Sequence, residues 1–195
     1  MTVPIVDFPG RSRHSGEHPD AATDAHTTVD LMDIESATAG RALVLIVDDT
    51  TARGNTDSIG PLVTDLLAEG GFLVDGVVAV RADEVSIRNA LNTAVIGGVD
   101  LVVSVGGVGV GVRDITPEAT GELLDREIPG IAEALRSSAL AAGSLDGGLS
   151  RGLVGVSGST LVVNLASSRE AVRDGMATLT RLASHVIAEL SGLEG

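Results

Sequence analysis

Leu101-Val102-Val103-Ser104-Val105-Gly106-Gly107-Val108-Gly109-Val110-Gly111-Val112-Arg113-Asp114 runs from five largely apolar residues straight into a glycine-rich loop. The Leu101–Val105 run is continuous rather than alternating. That is the pattern of a strand buried on both faces, as in a parallel sheet covered by helices. Ala42–Val47 and Phe72–Val80 read the same way. Ligands in open α/β sheets bind outside the carboxyl ends of the strands, so Gly106–Asp114 and Asp48–Gly54 are the two loops expected to carry a site. Four glycines in six residues, Gly106 to Gly111, let a backbone approach a ligand and turn its amides inward as an anion nest. The alternative is a flexible turn.

Working outward, the segments between these strands carry helical spacing. Asp57–Gly70 places Ile59, Leu62, Val63, Leu66 and Leu67 on one face, and Asp83–Ile96 opens on a cap and an acid. Thr116-Pro117-Glu118 reads as a hydroxyl cap followed by proline in the first turn, and Pro129 opens another helix. Leu153–Val156 and Thr160–Val163, separated by Ser157-Gly158-Ser159, read as a hairpin. Ser168–Leu190 is a final amphipathic helix. The predicted order β-α-β-α-β-α-α-β-β-α is a three-layer α/β/α fold with a mostly parallel sheet and an antiparallel hairpin. Residues 1–38 differ in texture: they are acidic, hold three of the four histidines and show no sustained period. They are expected to be a disordered acidic tail, with 39–195 as the one domain.

The composition narrows the chemistry. The 195 residues include no Cys, and all 13 basic residues are Arg. Thiolate metal sites, disulfides, cysteine nucleophiles, a Walker A lysine and Schiff-base chemistry are therefore excluded. His185 is the sole histidine of the expected domain, inside a helix, which disfavours imidazole catalysis and His-ligated metals. Carboxylates, hydroxyls, Arg and backbone amides remain. A formal charge of -14 argues against direct nucleic-acid binding. No apolar run reaches membrane-spanning length and residues 1–20 carry no signal-peptide core, so the expectation is a cytoplasmic protein without membrane contact. A dinucleotide fingerprint fails, because the third glycine position counted from Gly107 and Gly109 is Val112 and helix signals begin only at Thr116.

The run Gly106-Gly107-Val108-Gly109 followed by Arg113-Asp114-Ile115-Thr116-Pro117-Glu118-Ala119 resembles the GGTG-x-x-x-R-D-x-T-P-E-A motif of molybdopterin-binding proteins of the MogA/MoaB type, also found in gephyrin. Asp49 with Arg53-Gly54, Asp57 and Gly60-Pro61 resembles the start of that family's domain. Asp125–Gly130 resembles its D-R-E-x-P-G link, Leu149-Ser150-Arg151 its L-S-R, and Gly158–Leu165 its T-L-I-x-N-L stretch. The resemblance spans about residues 41–190. It implies molybdopterin as ligand and, in active members, adenylylation of its terminal phosphate with Mg and ATP, in a homotrimer or hexamer. It also implies Asp114 and Asp49 as catalytic residues, with Asp114 holding the metal. The expected ligand-binding set is Gly106, Gly107, Val108, Gly109, Arg113, Ser104, Asn164, Ser167 and Ser168. Asp114 and Asp49 also have plainer readings, as a helix-entry acid and a loop acid. Ser150-Arg151 reads as structural, pairing across strands or at a subunit interface.

The sequence departs from the family pattern at Val108, where the family has Thr, and at Ala82, where it has a second acid. Ala166-Ser167 replaces its Pro-Gly turn. These changes fall on the expected ligand loops and argue for weak or lost activity. The alternative function is thus a catalytically inactive member that works by binding a protein partner.

Overall fold

The chain is described here from a computed structural model covering residues 38–192. The expected acidic tail lies outside the described residues except for Thr38.

Six strands form one sheet: β1 (Gly40–Val47), β2 (Phe72–Val80), β3 (Leu101–Val105), β4 (Arg126–Glu127), β5 (Val154–Ser157) and β6 (Thr160–Leu165). Their order is β2-β1-β3-β6-β5-β4. β2, β1, β3 and β6 are parallel, and β5 pairs antiparallel with both β6 and β4. The expected hairpin is therefore the β5–β6 pair, turning at Ser157–Thr160. The mixed three-layer architecture follows the sequence pattern closely.

Side-chain alternation explains the layers. Ala42, Val44 and Ile46 on β1, with Leu101, Val103, Leu161 and Val163, pack against one set of helices: α1 (Ile59–Glu69), α4 (Pro129–Ala141) and α6 (Arg169–Leu190). Leu45, Val47, Val102 and Val162 face α2 (Glu84–Ile96) and α3 (Thr116–Gly121) on the other side. Every residue of β3 and β6 is buried, as expected of central strands covered on both faces. Asp83 and Ser168 cap α2 and α6, accepting from Ser86 N–H and Ala171 N–H.

Three expectations need correction. β2 is apolar along its length but is an edge strand, and only Phe72 is buried; Leu73, Val77 and Val78 are exposed. An apolar run cannot by itself distinguish a central strand from an edge strand whose outer face awaits cover. Thr116 is not a cap. It is buried within α3 and its hydroxyl donates to Gly106 O at 2.9 Å. Three short elements were not expected, the 3-10 turn Thr51–Arg53, the two-residue strand β4 and the one-turn helix α5 (Leu145–Gly148), because none is long enough to show a period.

Candidate functional site

β1 lies between β2 and β3, so the chain leaves β1 toward one edge of the sheet and later returns to its other side. This is a topological switch point, where the loops following adjacent strands diverge and leave a crevice. The loop after β1 and the loop after β3 flank that crevice.

The glycine loop is set by backbone geometry. Gly106 has φ 106° and a Cβ there would sit 2.5 Å from Val47 O, so no other residue fits. Gly106 N–H donates to Leu165 O at 2.9 Å, and Thr116 N–H donates to Gly107 O at 3.0 Å. Beyond this anchored base, the loop bounds a cleft of about 350 Å³ lined by Gly107–Gly111, Asp114, Asp146, Leu149, Ala166 and Ser167. The amides of Gly109 and Val110 have no hydrogen-bond partner among the described residues. A second cleft of about 260 Å³ adjoins it, lined by Asp48, Thr50, Thr51, Asp57, Ser58 and neighbouring residues, and Ser167 lines both.

The polar groups around these clefts are ordered by one another. Thr50 Oγ1 and Thr51 N–H both donate to Asp48 Oδ2, the latter at 2.7 Å. Those bonds hold the Asp48 carboxyl below the ordinary range. Asp57 accepts from Ile59 N–H and Gly60 N–H, both at 2.8 Å, and so opens α1. Asp49 accepts from Ala82 N–H at 3.0 Å and pairs with Arg113 at 2.5 Å. First the Ala82 amide and then Arg113 keep its carboxyl ionised to lower pH than usual. Asp114 Oδ2 accepts from Gly111 N–H at 2.8 Å, so its carboxylate lies within the loop it follows.

Of the residues expected at the ligand, Gly107, Val108, Gly109, Asp114 and Ser167 line the larger cleft together. Val108 is 3% exposed and clusters with Ala166 and Ala171 beneath the loop. Two departures from the family pattern thus lie in one apolar cluster. Ser104 and Asn164 do not reach the cleft. Asn164 Nδ2 donates to Ser104 Oγ at 2.8 Å and to Thr120 Oγ1 at 3.0 Å, while its Oδ1 accepts from Leu153 N–H at 3.0 Å. This buried network joins β3, β6 and α3, and it uses the hydrogen-bonding capacity that a ligand would need. Gly106 is buried in the loop base, Arg113 bridges to Asp49, and Ser168 caps α6 beside a separate surface cleft.

Two residues beside the cleft escaped the sequence reading. Asp146 sits on the unexpected α5 and belongs to no motif. Arg151 was visible in Leu149-Ser150-Arg151 but read as a strand or interface residue. In the fold its guanidinium reaches the glycine loop, donating from Nε to Gly109 O at 2.7 Å and from Nη2 to Asp114 O, and pairs with Glu118 at 2.5 Å. Among the described residues no group of three or more His, Asp or Glu is placed to hold a metal. Magnesium fits on other terms, since it commonly binds one or two carboxylates together with substrate phosphates and waters. Asp114 and Asp146 on the cleft wall meet that requirement.

Residues 43–185 match the family described as "Probable molybdopterin binding domain". The crystal structure of a molybdopterin biosynthesis protein from Mycobacterium abscessus is similar at 67% identity and a TM-score of 0.78, covering 80% of this chain and 99% of that one. Molybdenum cofactor biosynthesis protein B of Bacillus cereus is 36% identical over 142 residues, 70% of this chain and 81% of that protein. Molybdopterin adenylyltransferase of Helicobacter pylori is 37% identical over 75 residues, 38% of this chain and 42% of that protein. Other relatives are longer: the chain spans 26% of the Drosophila melanogaster protein cinnamon and 48% of a bifunctional protein of Synechococcus elongatus. No described helix is long and apolar enough to cross a membrane. With the family match covering most of the described residues and the glycine loop in place at the switch point, the chain belongs to the molybdopterin-binding family that includes MogA and MoaB.

Proposed function

We propose that this protein acts in molybdenum cofactor biosynthesis, binding molybdopterin at the Gly107–Gly111 cleft and adenylylating its terminal phosphate with Mg-ATP. The observation that carries this reading is the pair of adjoining clefts that share Ser167. Adenylyl transfer joins a phosphate oxygen of one substrate to the α-phosphorus of ATP and releases pyrophosphate, so two anionic substrates must lie side by side. One cleft offers unpaired loop amides and the other offers hydroxyls. No Lys, Cys or His lines either cleft. Rate enhancement must therefore come from positioning and charge neutralisation, as in phosphoryl transfer generally. Magnesium held by Asp114 and Asp146 would supply charge neutralisation between the phosphates.

The same reading takes the protein to be a cytoplasmic homo-oligomer, a trimer or a hexamer. The exposed Leu73, Val77 and Val78 of β2 support self-association, because a long apolar edge strand is a liability unless covered. Sedimentation equilibrium gives the oligomeric state directly.

A second reading, a catalytically inactive member that recruits a protein partner, is favoured by one observation. Both guanidinium groups flanking the loop are committed, Arg113 to Asp49 and Arg151 to Glu118. Incubation with molybdopterin and Mg-ATP, followed by mass detection, separates the two. Adenylylated molybdopterin with multiple turnovers supports the enzyme; tight molybdopterin binding without product supports the second reading. Absence of both product and binding overturns the enzyme reading and leaves recruitment of a protein partner.

A further inference from the structure

Arg151 makes three contacts along the Gly106–Asp114 loop. Its backbone N–H donates to Val108 O at 2.7 Å, its Nε donates to Gly109 O at 2.7 Å, and its Nη2 donates to Asp114 O. Three carbonyls of one loop are thus taken by one residue that follows α5, far along the chain. Glu118 on α3 fixes the other end of the guanidinium through Nη1 at 2.5 Å.

The consequence follows from the planarity of the peptide. In a trans peptide unit the C=O of one residue and the N–H of the next point in opposite directions. Holding the Val108 and Gly109 carbonyls toward Arg151 therefore turns the Gly109 and Val110 N–H groups away from it. Both amides, like those of Gly107 and Val108, have no partner among the described residues, and both residues line the cleft. We infer that Arg151 is a positioning residue for the anion site: by gathering the loop carbonyls on one side it presents the Gly109 and Val110 amides to a ligand phosphate. This rests on the reading of the cleft as a phosphate site and adds how the amides are aimed. Below the loop, Val108 packs into the apolar cluster with Ala166 and Ala171, so the loop is held from both sides.

The requirement is specific to arginine. A planar fork donates in fixed directions to several acceptors at once, whereas an ammonium is a compact point charge on a flexible stem. Lysine at this position keeps the charge and the backbone bond to Val108 but cannot hold Gly109 O, Asp114 O and Glu118 together.

The test uses the full chain and inorganic phosphate as probe, read by the amide shifts of Gly109 and Val110 in 15N-labelled protein. Wild-type protein is expected to show saturable phosphate-induced shifts at these two amides. Arg151→Lys and Arg151→Gln are expected to lose them while the melting temperature stays near the wild-type value. Molybdopterin affinity should fall by about 10- to 100-fold, the usual effect of removing a residue that orients a ligating group. Glu118→Gln, which frees the guanidinium but keeps it, is expected to give an intermediate loss and serves if the Arg151 variants fail to fold. The inference is overturned if wild-type protein shows no phosphate shifts at Gly109 and Val110, or if Arg151→Lys retains both the shifts and the affinity. Phosphate shifts that depend on Arg151 in a protein that does not bind molybdopterin uphold this inference while sinking the proposed substrate.

Discussion

Arg113 Nη2 lies 2.5 Å from Asp49 Oδ2, and this ion pair ties the loop after β3 to the loop after β1. The same carboxylate accepts the Ala82 N–H at 3.0 Å, and Arg113 Nη2 donates to Ala82 O at 3.4 Å. One acid and one base thus tie together the segments that follow three parallel strands. Ala82, where the family pattern has an acid, contributes only its backbone here, so its short side chain leaves this junction intact.

The junction should be visible as a pH dependence. Asp48, Asp49, Asp83 and Glu118 are all held below the ordinary carboxylate range, chiefly by hydrogen bonds they accept. A folded-state pKa below the unfolded value contributes stability that is present above the unfolded pKa and lost as pH falls through the folded one. Urea midpoints should therefore stay level from about pH 7 to about pH 5 and drop below about pH 4, where free carboxylates begin to protonate. Asp49→Ala should lower the midpoint at neutral pH and make the acid drop shallower. An acid limb identical to wild type would show that Asp49 is not linked to folding.

The fold was legible because its strongest signals were local. Continuous apolar runs at Ala42–Val47 and Leu101–Val105 and the caps at Asp83 and Ser168 each declare an element within a few residues. The edge position of β2 was not legible, since it depends on which strands pair. The loop bearing the cleft could be located from its glycines, but the duties of individual polar residues could not be. Ser104 and Asn164 lie 60 positions apart and satisfy one another, and Arg151 reaches a loop carbonyl 42 positions away. Spacing along the chain cannot show that two polar side chains have spent their hydrogen bonds on each other.

Restoring the family's hydroxyl at the loop is expected to harm rather than help. Val108 is 3% exposed within an apolar cluster of Val108, Ala166 and Ala171. Val108→Thr keeps the shape but buries a hydroxyl against these neighbours, at a cost of about 1–3 kcal/mol if it finds no partner. Denaturant titration should show this loss, with no gain in product formation. A variant of unchanged stability and higher turnover would show instead that the hydroxyl turns into the cleft and that its absence limits the native chain.

Asp114 permits a cleaner separation of charge from structure. Its Oδ2 accepts from Gly111 N–H at 2.8 Å, and an amide oxygen can accept the same bond. Asp114→Asn should therefore preserve the loop and the melting temperature while removing a negative charge from the cleft wall. Metal-free phosphate should bind more tightly for that reason. Magnesium-dependent product formation should fall by about 100-fold or more, the scale of losing one well-placed electrostatic contact. Unchanged magnesium dependence would take the metal away from Asp114.

Asn164 provides the sharpest contrast between a ligand residue and a structural one. Its amide nitrogen donates to the hydroxyls of Ser104 and Thr120, and its amide oxygen holds Leu153 N–H. Asn164→Ala removes the partner of the part-buried Leu153 N–H and of the buried Thr120 hydroxyl, and leaves the Ser104 hydroxyl only its bond to Val163 O, at the junction of β3, β6 and α3. One unsatisfied buried group costs about 1–3 kcal/mol, so the variant should lose at least that much stability by denaturant titration. At a temperature where it remains folded, its KM for molybdopterin should stay within the wild-type range, because the side chain does not line the loop cleft. The reverse outcome, a raised KM with stability intact, would place Asn164 at the ligand and require the β6 end to open when the cleft is filled.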